Sequence, residues 1–218
     1  MSDRRAPWCA GCRQPPARCI CSYLPRARNE TPLVVLRHPR EEHSQSNTGS
    51  LCVEALTQAR MLSYAGRGAD LSLPRESVLL FPVPSAPILS RDLFLRAPLS
   101  DRALVILDAT WRQARRMYVR SDALRGLTIA RLPDEASPRW RLRMPKRAGQ
   151  LSTIEAAALG YRLLGEERVA EALERVIDLV APRVLAARQG DQRILAMAGR
   201  LHEKALASSE TSEEDELR

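Results

Sequence analysis

The stretch 104-LVILDATWRQARRM-117 decides the fold, because an apolar run gives way there to an acid, a hydroxyl and an indole. The residues before Asp108 are apolar without interruption, which is typical of a buried strand. Thr110 is a suitable N-cap, so a helix is predicted over 111–124. The pattern therefore places Asp108, Thr110 and Trp111 where a strand ends and a helix begins. Ligands of open α/β sheets bind at such strand ends.

Further apolar runs predict strands that alternate with helices along the chain. The predicted strands are 33-LVVLRH-38, 77-SVLLF-81, 103-ALVIL-107 and 127-LTIARL-132. One predicted helix follows Thr48, and the others are 111–124, 154–164, 167–188 and 191–207. This alternation indicates an α/β fold, with a mainly parallel sheet and surrounding helices. Polar or proline-rich segments follow the first three strands, which points to a pocket at their carboxyl ends.

The helix after Thr48 is predicted from a helical spacing of apolar residues. Asn47 or Thr48 is a suitable N-cap, and 66-GRG-68 is expected to end the helix. Its apolar stripe comprises Leu51, Ala55, Leu56, Ala59 and Leu62. Cys52 lies near this stripe and is predicted to be a core residue.

The charge balance points to a polyanionic partner. The chain has 218 residues and a formal net charge of +8, a basic balance that suits nucleic acid as well as ordinary solubility. The tail 208-SSETSEEDELR-218 is acidic and is expected to be disordered. No run approaches the ~18 to 20 apolar residues that span a bilayer. The N-terminus has no apolar core, so we expect no signal peptide, a cytoplasmic location and reduced cysteines.

Four of the five cysteines fall in one short segment, 9-CAGCRQPPARCIC-21. The spacing Cys9-x2-Cys12-x6-Cys19-x-Cys21 presents two close thiolate pairs, which suits a structural, tetrahedral zinc site. The segment has little apolar material, so metal binding would supply its folding free energy. Unpaired cysteines, and an iron–sulfur or redox site, are the alternatives. Residues 1–30 are therefore predicted to form a small zinc-binding module.

Arginines cluster in two places. Arg112, Arg116 and Arg120 form one stripe of the helix after Asp108, with Arg115 beside it. The loop at 133–150 adds a second basic cluster, which comprises Arg139, Arg141, Arg143, Lys146 and Arg147 around Trp140. Both clusters could be solvated surface, but arginines beside an indole also suit phosphate contacts and base stacking.

Ser152-x-x-Glu155 is a capping box, and a helix start is also an anion site. No glycine-rich phosphate loop, G-x-G-x-x-G or G-x-S-x-G motif occurs, which argues against P-loop, Rossmann and hydrolase-elbow chemistry.

Taken together, these motifs resemble the DTW-domain family. The resemblance lies in the cysteine segment, 36-LRHPREEH-43, Asn47-Thr48, 107-LDATWRQARRM-117 and 151-LSTIEA-156, in that order. It spans roughly residues 9 to 200. Position 109 is alanine, where glycine is also familiar in such proteins.

The resemblance implies a function and a fold. The family comprises tRNA-uridine aminocarboxypropyltransferases. Such enzymes transfer the 3-amino-3-carboxypropyl group of S-adenosylmethionine to N3 of a uridine in a tRNA loop and release methylthioadenosine. The resemblance also implies a SPOUT-like fold, with a parallel sheet and a C-terminal trefoil knot. Residues 31–207 would then be the catalytic domain, between the zinc module and the acidic tail.

The residue patterns and the resemblance together suggest roles for individual residues, as expectations. The catalytic residues would be Asp108 as general base, Thr110 as its partner or a cofactor donor, and Trp111 for stacking or cation–π contact. The S-adenosylmethionine site would comprise Leu36, Arg37, His38, Pro82, Val83, Leu107, Asp108, Ser152, Thr153 and Glu155. The RNA contacts would comprise Arg112, Arg115, Arg116, Arg139, Arg143, Lys146 and Arg147. Structural Zn²⁺ would be held by Cys9, Cys12, Cys19 and Cys21.

Two other functions fit the same residues. A SPOUT-type RNA methyltransferase would use the same cofactor but donate its methyl group. A non-enzymatic, zinc-dependent RNA-binding module would use the basic loops alone. In each case we expect tRNA or another RNA as the partner, no membrane, and a monomer as the favoured oligomeric state.

Overall fold

Five parallel strands form the centre of the fold. The computed structural model describes residues 9, 11–12, 19–42, 44, 48–66, 68, 71–94, 98, 101–134 and 151–189, with the side chains of the last helix described to residue 183. The strands are β1 (Leu33–Arg37), β2 (Ala59–Ser63), β3 (Val78–Leu80), β4 (Leu104–Asp108) and β5 (Thr128–Ala130), in the spatial order β2-β1-β4-β3-β5. The predicted α/β fold with a parallel sheet is confirmed.

Helices cover both faces of this sheet. They are α1 (Gly49–Ala55), α2 (Trp111–Arg120), α3 (Asp122–Arg125), α4 (Thr153–Leu163) and α5 (Glu167–Gln189). Short 3₁₀ turns lie at Cys21–Tyr23, Pro39–Glu41 and Arg91–Phe94. Helices α1, α4 and α5 pack on one face, together with Val35 and Ile106. Helices α2 and α3 pack on the other, against Val105 and Leu107.

Burial on both faces explains the uninterrupted apolar runs of the central strands. All five residues of β4 are buried, and so are the first four of β1. Because neighbouring side chains of a strand point to opposite faces, a strand that is covered on both faces needs apolar residues at every position. β1 and β4 pair in parallel with Arg37 opposite Asp108. Their carboxyl ends therefore lie side by side at one edge of the sheet.

The helix predicted between Thr48 and 66-GRG-68 is wrong beyond its first two turns. α1 ends at Ala55, Leu56 is extended, and Ala59–Ser63 forms the edge strand β2. The apolar residues at 59 and 62 fit a helical period, but the backbone groups of this segment pair with β1 instead. Pairing with a neighbouring strand overrides a weak helical propensity.

The helix predicted over 111–124 is also divided. α2 ends at Arg120, and the Ser121 hydroxyl accepts a hydrogen bond from the Leu124 backbone to begin α3. Serine competes for backbone hydrogen bonds in this way, which favours a helix start over a helix interior. The predicted helix 191–207 and the acidic tail lie outside the described residues, and the division into residues 1–30, 31–207 and 208–218 stays a prediction. Within the described part of the chain, the helices are all too short or too polar to span a membrane.

A buried polar network joins the start of the sheet to α4. Asn29 is fully buried; its side-chain amide donates to the carbonyls of Thr31 and Gln58, and its Oδ1 accepts from the Gln58 backbone at 2.8 Å. The Tyr161 hydroxyl donates to the Thr31 carbonyl at 2.9 Å. Burial raises the pKa of Tyr161 well above its usual value, so the phenol stays protonated and remains a donor.

Replacing Asn29 with alanine should lower the free energy of unfolding by about 2–4 kcal/mol, because several buried backbone groups lose their partners at once. Tyr161→Phe is the matched control, since it removes one hydroxyl from the same network and should cost about 1–2 kcal/mol. Urea denaturation of the three proteins measures both values. Equal losses in the two variants would contradict the central role given to Asn29.

Candidate functional site

The carboxylate of Asp108 is buried between the first residues of two helices. Asp108 is 4% exposed at the end of β4. The Thr153 hydroxyl, in the first turn of α4, donates a hydrogen bond to its Oδ1 at 2.8 Å. Gly49, the first residue of α1, lies so close that a Cβ there would be 2.6 Å from the Asp108 carboxyl carbon. Asp108 therefore does not face open solvent, and its position depends on both helix starts.

The start of α4 is organised by its own capping box. The Ser152 hydroxyl accepts from the Glu155 backbone, and the Glu155 carboxylate accepts from the Ser152 backbone at 2.8 Å. The Ile154 backbone donates to the Thr48 hydroxyl at 3.3 Å. Thr48 occupies the N-cap position of α1, as predicted, but its hydroxyl accepts from α4 and makes no capping bond of its own helix. The starts of α1 and α4 are thus tied together beside Asp108.

Cys52 belongs to the wall of this region. It is fully buried, and its thiol donates to the Thr48 carbonyl at 3.5 Å. Burial, and then the nearby charge of Asp108, raise the pKa of this thiol, so it remains neutral. The prediction that Cys52 is a core residue is confirmed.

Replacing Gly49 with alanine should force the Asp108 carboxylate away from its position. The new Cβ would also lie 2.9 Å from a Val35 methyl, so neither neighbour leaves it room. We expect a loss of about 1–3 kcal/mol in the free energy of unfolding. Gly160→Ala in α4 is the control, because its Cβ would be 3.3 Å from a Leu104 methyl that can adjust, and the expected change is under about 1 kcal/mol. Thermal denaturation compares the two, and equal stabilities would show that Asp108 is loosely held.

Thr110 and Trp111 lie apart from the buried carboxylate. The Thr110 hydroxyl accepts from the Gln113 backbone, and the Thr110 backbone donates to the Gln113 side chain at 2.7 Å. This exposed capping box accounts for Thr110 as a helix start. Trp111 is 44% exposed at the first turn of α2. The structure therefore brings the three predicted catalytic residues to one strand end but not into one cavity.

Two cavities lie beside α2, on the face of the sheet opposite α4. The first, which we call the His38 cavity, has a volume of about 470 Å³ and is lined by His38, Arg40, Tyr64, Gly66, Gln113, Arg116, Met117 and Arg120. The second, the Trp111 cavity, measures about 560 Å³ and is lined by Trp111, Arg112, Arg115, Arg116, Val119 and Arg120. Asp108 lines neither of them.

His38 enters its cavity as a neutral ring. Its Nδ1 accepts a hydrogen bond from the Arg40 backbone at 3.2 Å. Burial, and then the charge of Arg40, lower the pKa of His38, against a smaller opposing effect of Glu41. A neutral imidazole whose Nδ1 accepts carries its proton on Nε2. The ring is thus a donor at Nε2 rather than a cation.

The residues predicted to hold S-adenosylmethionine share one edge of the sheet. Leu36 and Arg37 pair in register with Leu107 and Asp108, and the His38 backbone donates to the Asp108 carbonyl. The remaining predicted residues follow the neighbouring strand β3 or start α4; these are Pro82, Val83, Ser152, Thr153 and Glu155. Leu36 is fully buried, so neither its side chain nor its backbone is exposed. The cofactor assignments stay predictions.

Three of the seven basic residues predicted to contact RNA are exposed on α2; these are Arg112, Arg115 and Arg116. The other four, Arg139, Arg143, Lys146 and Arg147, lie outside the described residues, as does Trp140. The sequence reasoning did not assign Gly49, Arg40 or Tyr64 to a site. Tyr64 directly follows the strand β2, a position that would have marked it as a site residue. It was missed because that segment was predicted to be helical.

The four cysteines of the N-terminal segment form a cluster that could hold a metal ion. Their sulfur atoms all lie within 4.8 Å of one another, and three pairs are 3.4, 3.5 and 3.7 Å apart. A tetrahedral zinc site with Zn–S bonds of ~2.3 Å requires S···S separations of about 3.8 Å. The donor set and its spacing therefore fit the predicted ion.

The surroundings of the cluster support the same use. Burial opposes ionisation of Cys9, but hydrogen bonds from the backbone of Cys12, from the thiols of Cys21 and Cys19 and from the backbone of Gly11 lower its pKa to about 7. A Cβ on Gly11 would lie 3.0 Å from the Cys21 sulfur, so this position requires a small residue. Ile20 and Leu24 join the core beside α1, which anchors the segment to the sheet domain.

Comparisons with known proteins agree with these motifs. The family model described as "DTW domain" matches residues 6–185. The chain is 29% identical over 171 residues to "tRNA-uridine aminocarboxypropyltransferase 2" of Macaca fascicularis, a match that covers 74% of this chain and 57% of that protein. It is 29% identical over 162 residues to the Drosophila melanogaster protein of the same name, covering 69% of this chain and 63% of the relative.

A plant relative is similar over a shorter span. "tRNA-uridine aminocarboxypropyltransferase A" of Arabidopsis thaliana is 29% identical over 138 residues, covering 53% of this chain and 52% of the relative. The chain thus spans between half and two thirds of the length of these relatives. No solved structure matches the chain significantly.

Proposed function

The chain belongs to the DTW domain family, and we propose that it is a tRNA-modifying transferase. The proposed reaction moves the 3-amino-3-carboxypropyl group of S-adenosylmethionine to N3 of a uridine in a tRNA loop and releases methylthioadenosine. The names of the relatives support the transferred group and the tRNA uridine. The donor and the N3 position come from the family resemblance.

The observation that carries this proposal is the convergence of the family motifs on Asp108. The Thr48 and Thr153 segments are distant from Asp108 in sequence, yet the Thr153 hydroxyl donates to that carboxylate and the Thr48 hydroxyl accepts from the neighbouring Ile154 backbone, which joins the two helix starts beside it. A fixed carboxylate at the carboxyl edge of a parallel sheet is suited to general-base chemistry. The same edge carries backbone groups and hydroxyls, which are the kinds of group that hydrogen-bond to a nucleoside with an amino-acid side chain.

The proposed reaction requires a general base and accurate positioning of the uridine against the cofactor. When bound, S-adenosylmethionine supplies a carbon made electrophilic by the adjacent sulfonium. Asp108 is proposed to take the N3 proton of the uridine as the N–C bond forms and the C–S bond breaks. The electron pair stays on the sulfur of a neutral thioether, so no acid is needed. Holding the two partners in attack geometry then provides most of the remaining acceleration.

Other parts of the proposal complete the description of the enzyme. We propose Zn²⁺ as the ion of the cysteine cluster, with a structural role, because four protein ligands leave no open position. The SPOUT-like trefoil knot and the cytoplasmic location stay predictions. tRNA is the proposed partner, and the exposed arginines of α2 are proposed to contact its phosphates.

The test is a labelling experiment. The protein is incubated with a tRNA transcript and S-adenosylmethionine labelled either in the carboxypropyl chain or in the methyl group, and the digested nucleosides are separated by mass spectrometry. Our proposal expects only the first label in RNA, on uridine. Methyl label in RNA would identify a methyltransferase, and neither label would leave an RNA-binding module.

A further inference from the structure

We propose that the His38 cavity binds one unpaired nucleotide of the RNA substrate, with its base against Tyr64 and its phosphate among Arg40, Arg116 and Arg120. This inference rests on the proposed function for the identity of the RNA. It assigns a site distinct from Asp108, because the cavity lies on the α2 face of the sheet and the carboxylate on the α1 and α4 face.

The size and the lining of the His38 cavity suit a nucleotide. Its volume of about 470 Å³ falls within the ~300–1,000 Å³ of small-ligand pockets. Tyr64 and Met117 are buried and give it an apolar wall, whereas Arg40, Arg116 and Arg120 are exposed. A base has two apolar faces and a phosphate is an anion, so an apolar wall beside a cationic rim matches both halves of the ligand.

The charge of the cavity favours RNA over the cofactor. Among the described residues that line it, three are arginines and none is acidic. S-adenosylmethionine carries a sulfonium, an ammonium and one carboxylate, so its net charge is positive and the arginines repel it. Each RNA phosphate is negative, and its binding to arginine releases counterions. The same reasoning favours the opposite face, beside the Asp108 carboxylate, for the cofactor.

Polar groups in the cavity can recognise an unpaired base. The His38 Nδ1 is already used by the Arg40 backbone, so the neutral ring offers its Nε2–H as a donor. The edges of a base are open to such a donor only when the base is unstacked and unpaired, as in an RNA loop. The proposal is therefore restricted to unpaired nucleotides.

The cavity shares two arginines with a second basic surface. Arg116 and Arg120 line both the His38 cavity and the Trp111 cavity. Trp111 and Val119 are exposed beside them and offer an apolar platform for a further base. A single strand can therefore cross α2 from one cavity to the other, with its phosphates along the arginines.

Binding of 5′-fluorescein-labelled hexauridylate, followed by fluorescence anisotropy, tests the inference. Arg40 lines only the His38 cavity, so Arg40→Ala should weaken binding about tenfold and lower the slope of log affinity against log salt by about 0.7, the loss of one phosphate contact on a single strand. Arg175→Ala is the control, since the Arg175 side chain is 69% exposed on α5. This substitution removes the same charge from the other side of the sheet. It should change affinity less than twofold.

Further arms separate the possible occupants. A blunt RNA duplex should bind wild-type protein and Arg40→Ala equally, and so should S-adenosylmethionine measured by calorimetry. Equal effects of Arg40→Ala and Arg175→Ala on hexauridylate overturn the inference, and so does failure of the wild type to bind it. A loss of cofactor affinity in Arg40→Ala with RNA binding intact also overturns it. If Arg40→Ala loses hexauridylate affinity but the wild type transfers no label to tRNA, the proposed function fails and the cavity remains a binding site for single-stranded RNA.

Discussion

Replacing Asp108 with asparagine should lower the rate of transfer to tRNA by about 10²- to 10⁴-fold while the protein remains folded. Asparagine has nearly the same shape, so it fits the space beside Gly49. Its amide oxygen can still accept the hydrogen bond from Thr153. It cannot take the N3 proton of uridine, and only the chemical step should suffer. Single-turnover rates with saturating cofactor, and tRNA affinity by filter binding, measure the two effects separately.

Thr153→Val separates the charge of Asp108 from its orientation. Valine removes the hydroxyl that holds Oδ1 and keeps the carboxylate, so we expect a rate loss of roughly tenfold, much smaller than that of Asp108→Asn. If Asp108→Asn transfers at the wild-type rate, the base lies elsewhere. If the variant instead unfolds or loses tRNA binding, Asp108 serves to join the starts of α1 and α4, and the enzymatic role fails.

The central strands could be predicted because burial on both faces leaves an unmistakable pattern. β1, β3 and β4 are short apolar runs that end at polar or proline-containing segments, and each lies where the sequence indicates. Asp108 could be placed at a strand end for the same reason. The edge strand β2 could not be predicted, since its residues are only half covered and its identity is set by pairing with β1 rather than by local spacing.

The details of the site depend on contacts between distant parts of the chain. The Thr48 hydroxyl contacts a backbone group 106 residues away, and the Asp108 carboxylate contacts a side-chain hydroxyl 45 residues away. Local patterns predict that Thr48 and Thr153 stand at helix starts, but not that the two starts meet. Asp108 is buried because the starts of α1 and α4 lie against its carboxylate, whereas Trp111 is exposed at the first turn of α2. These contacts form only when the sheet is assembled. The sequence therefore suggested one pocket for Asp108 and Trp111, whereas the structure places the two side chains apart.

Removing the metal from the cysteine cluster should destabilise the protein more than the single core changes described above. Structural zinc contributes about 10–16 kcal/mol of binding free energy in zinc-finger peptides at neutral pH. Cys12 is 3% exposed and packs in the same core as Ile20 and Leu24, so loss of the ion should loosen the sheet domain beside α1. We expect one zinc per chain by elemental analysis and a lower Tm after treatment with a strong chelator.

Cys12→Ser and Cys52→Ser form a matched pair for this prediction. The first removes a predicted ligand and should abolish stoichiometric zinc, with a loss of several kcal/mol in stability. The second changes a buried thiol outside the cluster, where a serine hydroxyl can still donate to the Thr48 carbonyl, so zinc should be retained. Loss of zinc in both variants would show that metal content follows general stability and not ligation.

Acid should release the metal, because zinc binds thiolates and competes with protons for them. As the pH falls, each thiolate that is protonated loses its bond to the ion, and affinity decreases steeply with the number of ligands. The pKa of Cys9, lowered to about 7 by hydrogen bonds, favours the thiolate form of this residue near neutral pH. A colourless protein whose zinc is lost on acidification and regained at neutral pH would agree with four thiolate ligands. A coloured protein that contains iron and sulfide would overturn the zinc assignment, and the cluster would then be a redox site. A protein whose Tm changes with neither chelator nor acid would also overturn it, and the cluster would then be a set of unpaired thiols.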